Sequence, residues 1–345
     1  MRFVMNPEGP MLLSLVIPVF NEEEALPRLV PTLKQVLARI PCDHEIIFVN
    51  DGSRDGTGRI LRTLCASDRR VKMLDFSRNF GHQMAITAGM DFSNGDAVVV
   101  MDADLQDPPE VLIEMVRLYN DGFDVVSAQR SARKTDTFFK RTTAAGFYWL
   151  MRKAVDQRLV PQVGDFRLFS RAAISTLGSF REQHRFMRGM VAWCGLKEAV
   201  VPFERQARVA GETKYSTVKM LKFAWTAITS FSGMPLRMIL SLGASLTLIG
   251  LIYFVYAAYS AIILKVTVPG WASIVFLQVI FSGAILMALG VMGDYIARIY
   301  EEIKARPLYV LNDAANIDVE TRKVARAVIV AKTSSREKRA RAVGE

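Results

Sequence analysis

The sequence predicts an α/β protein with a mostly parallel sheet, followed by two helices long enough to cross a membrane. The first half alternates short apolar, β-branched runs with helix-like segments. Continuous apolar strands separated by helices are typical of a parallel sheet that is covered on both faces. In the second half, two long runs carry no charge, and polar side chains follow four of the predicted strands.

Five strands and four helices are predicted in the first half. The strands are Leu12–Val19, Glu45–Val49, Val71–Leu74, Ala97–Met101 and Asp124–Ser127. The helices between them are Glu23–Ala38, Gly56–Ser67, Gln83–Asp91 and Pro109–Asn120. Ligands of such sheets bind outside the carboxyl ends of the strands, so the residues that follow each strand are the first candidates for a site.

Four consecutive predicted strands end in polar or charged segments, which are Pro18 to Glu22, Asn50 to Thr57, Ser77 to Gly81 and Asp102 to Asp107. Asp102 and Asp104 are two residues apart in extended chain, so both carboxylates face the same side. Hard oxygen ligands suit Mg²⁺ or Mn²⁺, the ions that neutralise a nucleotide diphosphate. Asp-x-Asp alone is often only a polar turn, but its place after a buried strand favours a metal site.

The segment Asn50-Asp51-Gly52-Ser53 is compatible with a simple turn, because Asp-Gly is a common turn pair. Asp51 would still lie at a strand end, where its carboxylate can accept a hydrogen bond from a base ring N–H. Asn21 and Glu22 would lie near the same base or ribose. We expect Asp55 to cap the following helix.

A cationic segment, Arg208 to Tyr215, places Arg208 and Lys214 around a glycine, where a loop could fold over a pyrophosphate. A basic patch beside the membrane is an equally open interpretation. His44, His82 and His184 are isolated from one another, which gives little support to histidine catalysis or zinc binding. The absence of a G-x-G-x-x-G or P-loop motif after a strand weighs against NAD(P) enzymes and kinases.

The uncharged runs are Met238–Leu264 and Trp271–Gly293, and each exceeds the roughly 20 residues that span a bilayer. Basic residues flank the pair on both sides, which predicts a hairpin in the inner (cytoplasmic) membrane with both flanks in the cytoplasm. Met1 to Met11 has no long apolar core, so both termini are expected in the cytoplasm. Two buried core helices are the alternative.

The net charge of +10 could suggest nucleic acid, but much of it lies near the membrane runs or in the tail. Attraction to anionic lipid is the simpler explanation, and no nucleic-acid partner is expected. The three scattered cysteines fit a reducing compartment.

Three regions follow from this pattern. Residues 1–232 form a cytoplasmic catalytic domain with amphipathic segments near 138–154 and 217–231, which could lie in the headgroup layer or pack a core. Residues 233–298 hold the two membrane helices, and residues 299–345 form a basic tail. Short two-span hairpins often need partners, so a homo-oligomer is expected.

Six segments together resemble the polyprenyl-phosphate branch of glycosyltransferase family 2. They are Val16 to Glu22, Val49 to Thr57, Ser77 to Gln83, Met101 to Glu110, Gly164 to Phe169 and Arg208 to Tyr215. The likeness runs in order from about Leu12 to Arg306. It implies a GT-A fold, a divalent metal, and inverting transfer of a sugar from a nucleotide diphosphate sugar to a polyprenyl phosphate at the cytoplasmic membrane face, for cell-envelope modification.

The resemblance also implies roles for particular residues. Donor nucleotide contacts would come from Pro18, Asn21, Glu22, Asp51, Ser53, Arg78, Asp102, Ala103, Arg208 and Lys214. Asp102, Asp104 and Gln106 would hold the metal and diphosphate, and Asp165 would lie near the reacting centre, with Asp104 as the second catalytic residue. The acceptor phosphate would meet Arg130, Arg133, Lys140 and Arg141.

UDP-glucose is the expected donor, and GDP-mannose, UDP-N-acetylgalactosamine and modified arabinose are the alternatives. A processive polysaccharide synthase is disfavoured, because His184 to Gly189 departs from the Gln-x-x-Arg-Trp motif and two spans cannot enclose a polymer. A non-catalytic membrane scaffold is disfavoured by the intact acidic and basic residues of the site.

Overall fold

The computed structural model describes residues 11–131, 160, 162–204, 228–229, 232–263, 265, 270–318 and 327–329. In chain order the strands are β1 (Leu12–Val19), β2 (Asp43–Asn50), β3 (Val71–Phe76), β4 (Ala97–Val100), β5 (Val125–Arg130), β6 (Val163–Ser170), β7 (Glu198–Phe203), β8 (Tyr309–Ala315) and β9 (Ala327–Ile329). They form one sheet in the order β7-β5-β6-β4-β1-β2-β3-β8-β9.

The predicted parallel core of the sheet is present. β4, β1, β2 and β3 are adjacent and parallel, and they correspond to the first four predicted strands. The fifth predicted strand is β5, which begins at Val125. Because parallel neighbours end at the same edge, the polar segments after β1, β2, β3 and β4 meet there, as the sequence predicted.

Helices cover both faces of this sheet. They are α1 (Leu26–Leu37), α2 (Thr57–Ser67), α3 (His82–Phe92), α4 (Val111–Asn120), α5 (Arg171–Ser179) and α6 (Met187–Cys194). The apolar sides of α1 and α4 share one core with alternate residues of β1 and β4. On the other face α3 packs against β1, where a Cβ on Gly89 would come within 2.1 Å of Val16, so that contact requires glycine.

One strand that the sequence did not predict lies inside the sheet. β6 is inserted antiparallel between β4 and β5, with Val100 opposite Arg167 and Ser127 opposite the same residue. The segment interrupts its apolar residues with Gly164, Asp165 and Arg167, so it lacks the continuous apolar run of a buried parallel strand. Its position brings Asp165 to the edge where β4 ends.

A second unit contains two long helices, α7 (Met234–Ile262) and α8 (Trp271–Ile303). Each has the length and apolar composition needed to cross a membrane, and the qualifying part of α8 is Phe276–Ile303. Their large apolar side chains are mostly exposed, unlike those of core helices in a soluble protein. The predicted uncharged runs correspond to these helices: α7 begins and ends a few residues before its run, whereas α8 begins with its run and continues past it to Ile303. The two predicted amphipathic segments, 138–154 and 217–231, lie outside the described residues, except for residues 228–229.

Part of the predicted tail is instead a strand of the sheet. β8 follows α8 after five residues and pairs antiparallel with β3, with Phe76 opposite Leu311. Tyr309 is fully buried, stacks on Phe76 at 5.3 Å between ring centroids, and donates a hydrogen bond to Asp91. Residues 309–315 of the predicted basic tail therefore belong to the sheet, and their partner strand lies more than 200 residues earlier in the chain.

Glu45 forms a buried ionic contact that ties β1, β2 and β3 together. Its carboxylate accepts hydrogen bonds from Ser14 Oγ at 2.5 Å, Lys72 Nζ at 2.5 Å and the Asn94 backbone N–H at 2.7 Å. Burial alone would raise the pKa of Glu45, but the donors from Lys72 and Ser14 outweigh it and lower that pKa. The carboxylate is therefore charged in the folded protein and fully paired.

We expect Glu45→Gln to destabilise the protein by about 3 kcal/mol at pH 7, because it leaves the Lys72 ammonium without its buried counter-charge. The stabilising contribution of Glu45 is present above its unfolded pKa and lost as pH falls through the lower folded pKa. The difference between variant and wild type should therefore shrink below about pH 4.5. Thermal unfolding in detergent at pH 7 and pH 4 measures it. The exposed Glu114→Gln is the control, and an equal loss in both variants would contradict the prediction.

Candidate active site

The loops after β1 and β2 are hydrogen-bonded to each other at the predicted edge. The Asn21 N–H donates to Ser53 Oγ at 2.9 Å, and the Arg54 N–H donates to Asn21 Oδ1 at 2.9 Å. The Glu22 N–H donates to Thr57 Oγ1 at 2.9 Å. The structure therefore brings Asn21, Glu22 and Ser53 together, as the sequence predicted, while Pro18 is buried in β1 just before them.

Asp51 connects the end of β2 to the loop between β3 and α3. Its buried carboxylate accepts from the Phe80 N–H at 2.7 Å and from the Gly81 N–H at 3.0 Å. Burial raises the pKa of Asp51, although these two N–H donors oppose the shift. Asp51 thus fixes the neighbouring loop, and its contact with a base remains a prediction. Asp55 accepts from the Thr57 N–H at 3.1 Å, so it serves the first turn of α2 as expected, although Gly56 occupies the N-cap position.

Gly52 allows the loops after β2 and β3 to approach each other. Its φ is +69°, and a Cβ there would lie 2.5 Å from the backbone carbon of Arg78.

We expect Gly52→Ala to weaken donor binding by at least about tenfold, because the added methyl group must displace backbone and the left-handed conformation disfavours alanine. Nucleotide binding to the purified chain measures this. Gly178→Ala is the control, since nothing lies within 4 Å of a Cβ there; equal affinities in both variants would contradict the expectation.

His82, the first residue of α3, lies between two acidic side chains. Its Nε2 is 3.3 Å from Asp165 Oδ2 and 3.5 Å from Asp102 Oδ1. Burial alone would lower the pKa of His82, but Asp165 and Asp102 outweigh it and raise that pKa. His82 is not among the predicted site residues, because no other histidine is near it along the chain. Its partners are aspartates that the sheet brings together. Its sequence signals are its place directly after a strand-end loop and its position in the segment Ser77 to Gln83.

Asp165 is held by three groups from two helices. Besides His82, Gln83 Nε2 donates to Asp165 Oδ2 at 3.1 Å, and Arg188 Nε lies 3.6 Å from Asp165 Oδ1. Burial alone would raise the pKa of Asp165, but the hydrogen bond from His82 and the charge of Arg188 hold that pKa well below its usual range. Asp165 is therefore a fixed carboxylate with little tendency to take up a proton. Sequence reasoning missed Gln83 and Arg188 as its partners.

The segment that follows β4 contains the predicted metal ligands Asp102, Asp104 and Gln106. Burial, with the nearby carboxylates of Asp165 and Asp104, raises the pKa of Asp102 to about 6, although His82 opposes the shift. Crowded carboxylates of this kind favour a divalent cation, because the ion relieves their mutual repulsion. Asp104 Oδ1 accepts from the Gln106 N–H at 3.1 Å, and Ala103 and Gln106 are buried.

Within the part of the chain that the structure describes, no three His, Cys, Asp or Glu side chains are arranged to enclose a metal ion. A pair of carboxylates is still enough to bind Mg²⁺ or Mn²⁺ in a nucleotide site, because these ions take one or two protein carboxylates together with substrate phosphates and water. The donor set is thus compatible with a metal that binds along with a diphosphate.

The predicted cationic residues are only partly described. Arg130, the last residue of β5, is paired with the buried Asp107, since its Nη2 lies 3.4 Å from Asp107 Oδ2. The Arg78 guanidinium lies 4.1 Å from the centroid of the Phe80 ring, beside the Asp51 loop. Arg133, Lys140, Arg141, Arg208 and Lys214 lie outside the described residues.

These features define an α/β enzyme whose acidic site lies at the carboxyl ends of its parallel strands. The model of the family described as Glycosyl transferase family 2 matches residues 14–178. The chain is 45% identical over 305 residues to the uncharacterized glycosyltransferase YkcC of Bacillus subtilis, covering 88% of this chain and 94% of that protein. It is 40% identical to the bactoprenol glucosyl transferase of Shigella phage SfII, covering 87% and 97% of the two chains.

A solved structure, the glucosyl-3-phosphoglycerate synthase of Mycobacterium tuberculosis, superimposes with a TM-score of 0.46 at 18% identity, covering 64% of this chain and 78% of that one. The protein is a glycosyltransferase. It belongs to glycosyltransferase family 2, and that membership together with its mostly parallel sheet confirms the predicted GT-A fold class.

Proposed function

We propose that the protein transfers glucose from UDP-glucose to undecaprenyl phosphate at the cytoplasmic face of the inner membrane, with inversion at the anomeric carbon. The proposal has support from the bactoprenol glucosyl transferase named among its relatives. It has further support from two helices of sufficient length and apolarity to span a bilayer. An acceptor with a long hydrocarbon chain stays in the membrane, so its transferase benefits from an anchor there.

The observation that carries the proposal is the meeting of Asp102 and Asp165 on His82. Asp102 follows the strand β4 by two residues, and Asp165 comes from the inserted strand β6. Both carboxylates lie within 3.5 Å of one imidazole nitrogen. This proximity supports the proposal that the donor, held through Asp102, and the acceptor, near Asp165, meet at a single reacting centre.

In this proposal the donor lies across the ends of β1, β2 and β4. Glu22, Asp51 and Ser53 bind the base and ribose, and Arg78 borders the same loop. Asp102 and Asp104, with Gln106, would hold a divalent ion, which would neutralise the diphosphate and the charge that develops on it as it leaves. The proposal also assigns contacts with the phosphates to Arg208 and Lys214, which lie outside the described residues.

The acceptor needs no strong general base. A phosphate monoester has its second pKa near 6, so most of it is a dianion at cytosolic pH. One of its oxygens attacks C1 of the sugar, and the bond from C1 to the diphosphate oxygen breaks, with its electron pair leaving on the nucleotide diphosphate. Asp165 orients the sugar or the acceptor, because its low pKa makes it a poor proton acceptor. Arg130 contacts the acceptor phosphate.

The test is transfer of label from nucleotide sugars to lipid by the full chain in membranes. Radiolabelled UDP-glucose, GDP-mannose, UDP-N-acetylgalactosamine and a modified arabinose donor are each supplied with undecaprenyl phosphate, with and without EDTA. The expected result is EDTA-sensitive labelling of lipid from UDP-glucose. Labelling from another donor alone would change the sugar but keep the acceptor, whereas no labelled lipid from any donor would overturn the proposal.

A further inference from the structure

β8, the strand that follows the second long helix, is connected to the end of β2 by hydrogen bonds to one buried carboxylate. Asn312 in β8 donates from Nδ2 to Asp75 Oδ2 at 3.3 Å. Asp75, near the end of β3, is 7% exposed and accepts from Asn50 Nδ2 through Oδ1 at 2.6 Å. One carboxylate therefore joins β8 to the last residue of β2.

The side chain of Asn50 is fixed at both ends. Its Nδ2 donates to Asp75, and its Oδ1 accepts from the Ser53 N–H at 3.3 Å. The orientation of this amide is determined by its partners, because a carboxylate can only accept and a backbone N–H can only donate. Asn50 thereby sets the path of the chain through Asp51 to Ser53, the segment to which the proposed function assigns the base and ribose.

The remaining contacts of Asp75 are weaker restraints. Arg62 Nη2 lies 3.4 Å from Asp75 Oδ2, but the Arg62 side chain is 53% exposed and also lies 3.6 Å from Asp313. Exposed ion pairs of this kind contribute little to holding a partner in place. The two amides from Asn50 and Asn312 therefore determine the position of the Asp75 carboxylate, one on each side of β3.

We propose that Asn312 is a positioning residue for the donor nucleotide, acting through Asp75 and Asn50 on the loop after β2. The inference rests on the proposed function, because that function assigns the nucleotide to this loop. It adds that the segment after the apolar helices contributes to donor binding, although it lies more than 250 residues from the loop it supports. Removing the Asn312 amide frees Asp75 and Asn50 to move, so the loop loses order that binding must then restore.

Asn316 offers a matched control just beyond the end of β8. Its Nδ2 donates to the carbonyl oxygens of Cys65 and Val71, each at 2.8 Å. Val71 is the first residue of β3, so this amide stabilises the end of the sheet opposite to the site. Asn316→Ala removes an asparagine amide from the same segment without touching the Asp75 contacts.

The experiment uses the full chain in detergent and measures the dissociation constants of UDP and GDP with Mn²⁺, together with donor KM and kcat. For Asn312→Ala we expect the dissociation constant and donor KM to rise about fivefold to tenfold with kcat within about twofold, the size of one lost hydrogen bond. Asn312→Asp should weaken binding more, because it places a second carboxylate beside Asp75. Asn316→Ala should lower the unfolding temperature but leave the nucleotide affinity unchanged.

A double variant tests the route through Asn50. In an Asn50→Ala background, Asn312→Ala should weaken nucleotide binding no further, because the link it supports is already broken. This inference alone would be overturned if the wild-type chain binds nucleotide and Asn312→Ala binds it with the same affinity. Equal losses of affinity in Asn312→Ala and Asn316→Ala would also overturn it. A wild-type chain that binds neither nucleotide would overturn the proposed function and this inference with it.

Discussion

Replacement of Asp102 by asparagine is expected to lower kcat/KM for sugar transfer by about 1,000-fold, roughly 4 kcal/mol of transition-state stabilisation. Asp102 is the carboxylate at the end of β4 that shares His82 with Asp165. Asparagine keeps the shape of the side chain but removes the negative charge that a divalent ion requires. The metal dependence of nucleotide binding should weaken in parallel, by at least about tenfold.

Two measurements separate this loss from misfolding. Binding of UDP is titrated with and without Mn²⁺, and thermal unfolding is recorded for the same preparations. The exposed Asp121→Asn, whose carboxylate pairs only with Arg117 among the described side chains, is the matched control and should leave transfer unchanged. Normal metal-dependent binding and turnover in Asp102→Asn would contradict the assigned site.

The pH profile provides a further check on the same residue. Burial and the nearby carboxylates of Asp165 and Asp104 raise the pKa of Asp102 to about 6, and a protonated carboxyl group must lose its proton to bind a metal ion. Affinity for Mn²⁺ should therefore be constant above about pH 7 and fall as pH drops through 6. An affinity that does not change between pH 7 and pH 5 would show that Asp102 is not a ligand.

Asp165→Asn is expected to lower kcat by about 100-fold while donor KM changes by less than about threefold. The carboxylate of Asp165 accepts from Gln83 and is close to His82 and Arg188. An amide cannot accept from all three, so the reacting groups lose their alignment in the transition state more than in the ground state. Asp124→Asn is the control, because Asp124 bonds Ser170 at the opposite end of β6.

The acid limb of the pH profile distinguishes orientation from proton transfer. The acceptor phosphate loses its second negative charge below about pH 6, so wild-type activity should fall there. Asp165 stays ionised in that range because its pKa is held low, and Asp165→Asn should therefore keep the same limb. If the activity of Asp165→Asn does not fall as the pH drops below about 6, Asp165 acts as a general base in the wild-type protein. If Asp165→Asn keeps near-normal turnover while Asp104→Asn loses turnover, the orienting role of Asp165 is limited as well.

The sequence predicted the parallel half of the sheet because buried parallel strands are continuous apolar runs. β1 to β4 each contain such a run, and the polar residues after them, from Asn21 to Asp102, were predicted to share one edge. Strand direction alone places those residues together, so no knowledge of packing was needed. The long helices were predicted for a similar reason, since length and lack of charge are visible in the chain itself.

The inserted strand β6 and the returning strand β8 could not be predicted in the same way. β6 carries Asp165 and Arg167 among its apolar residues, and its neighbours β4 and β5 precede it by more than 30 residues. β8 has alternate buried residues in Tyr309 and Leu311, which indicate a strand but do not name its partner. Backbone pairing is sequence-independent, so the choice of partner depends on packing across the whole sheet.

The fold class, the apolar helices and the acidic edge of the sheet were thus determined by the sequence alone, because each depends on residues close together in the chain. Only the tertiary structure decided which side chains meet at that edge. His82 between Asp102 and Asp165, and Asn312 beside Asp75, bring together residues separated by between 20 and about 240 positions. Those contacts arise because one strand inserts antiparallel beside β4 and another pairs with β3, and long-range pairing of this kind leaves no local pattern to read.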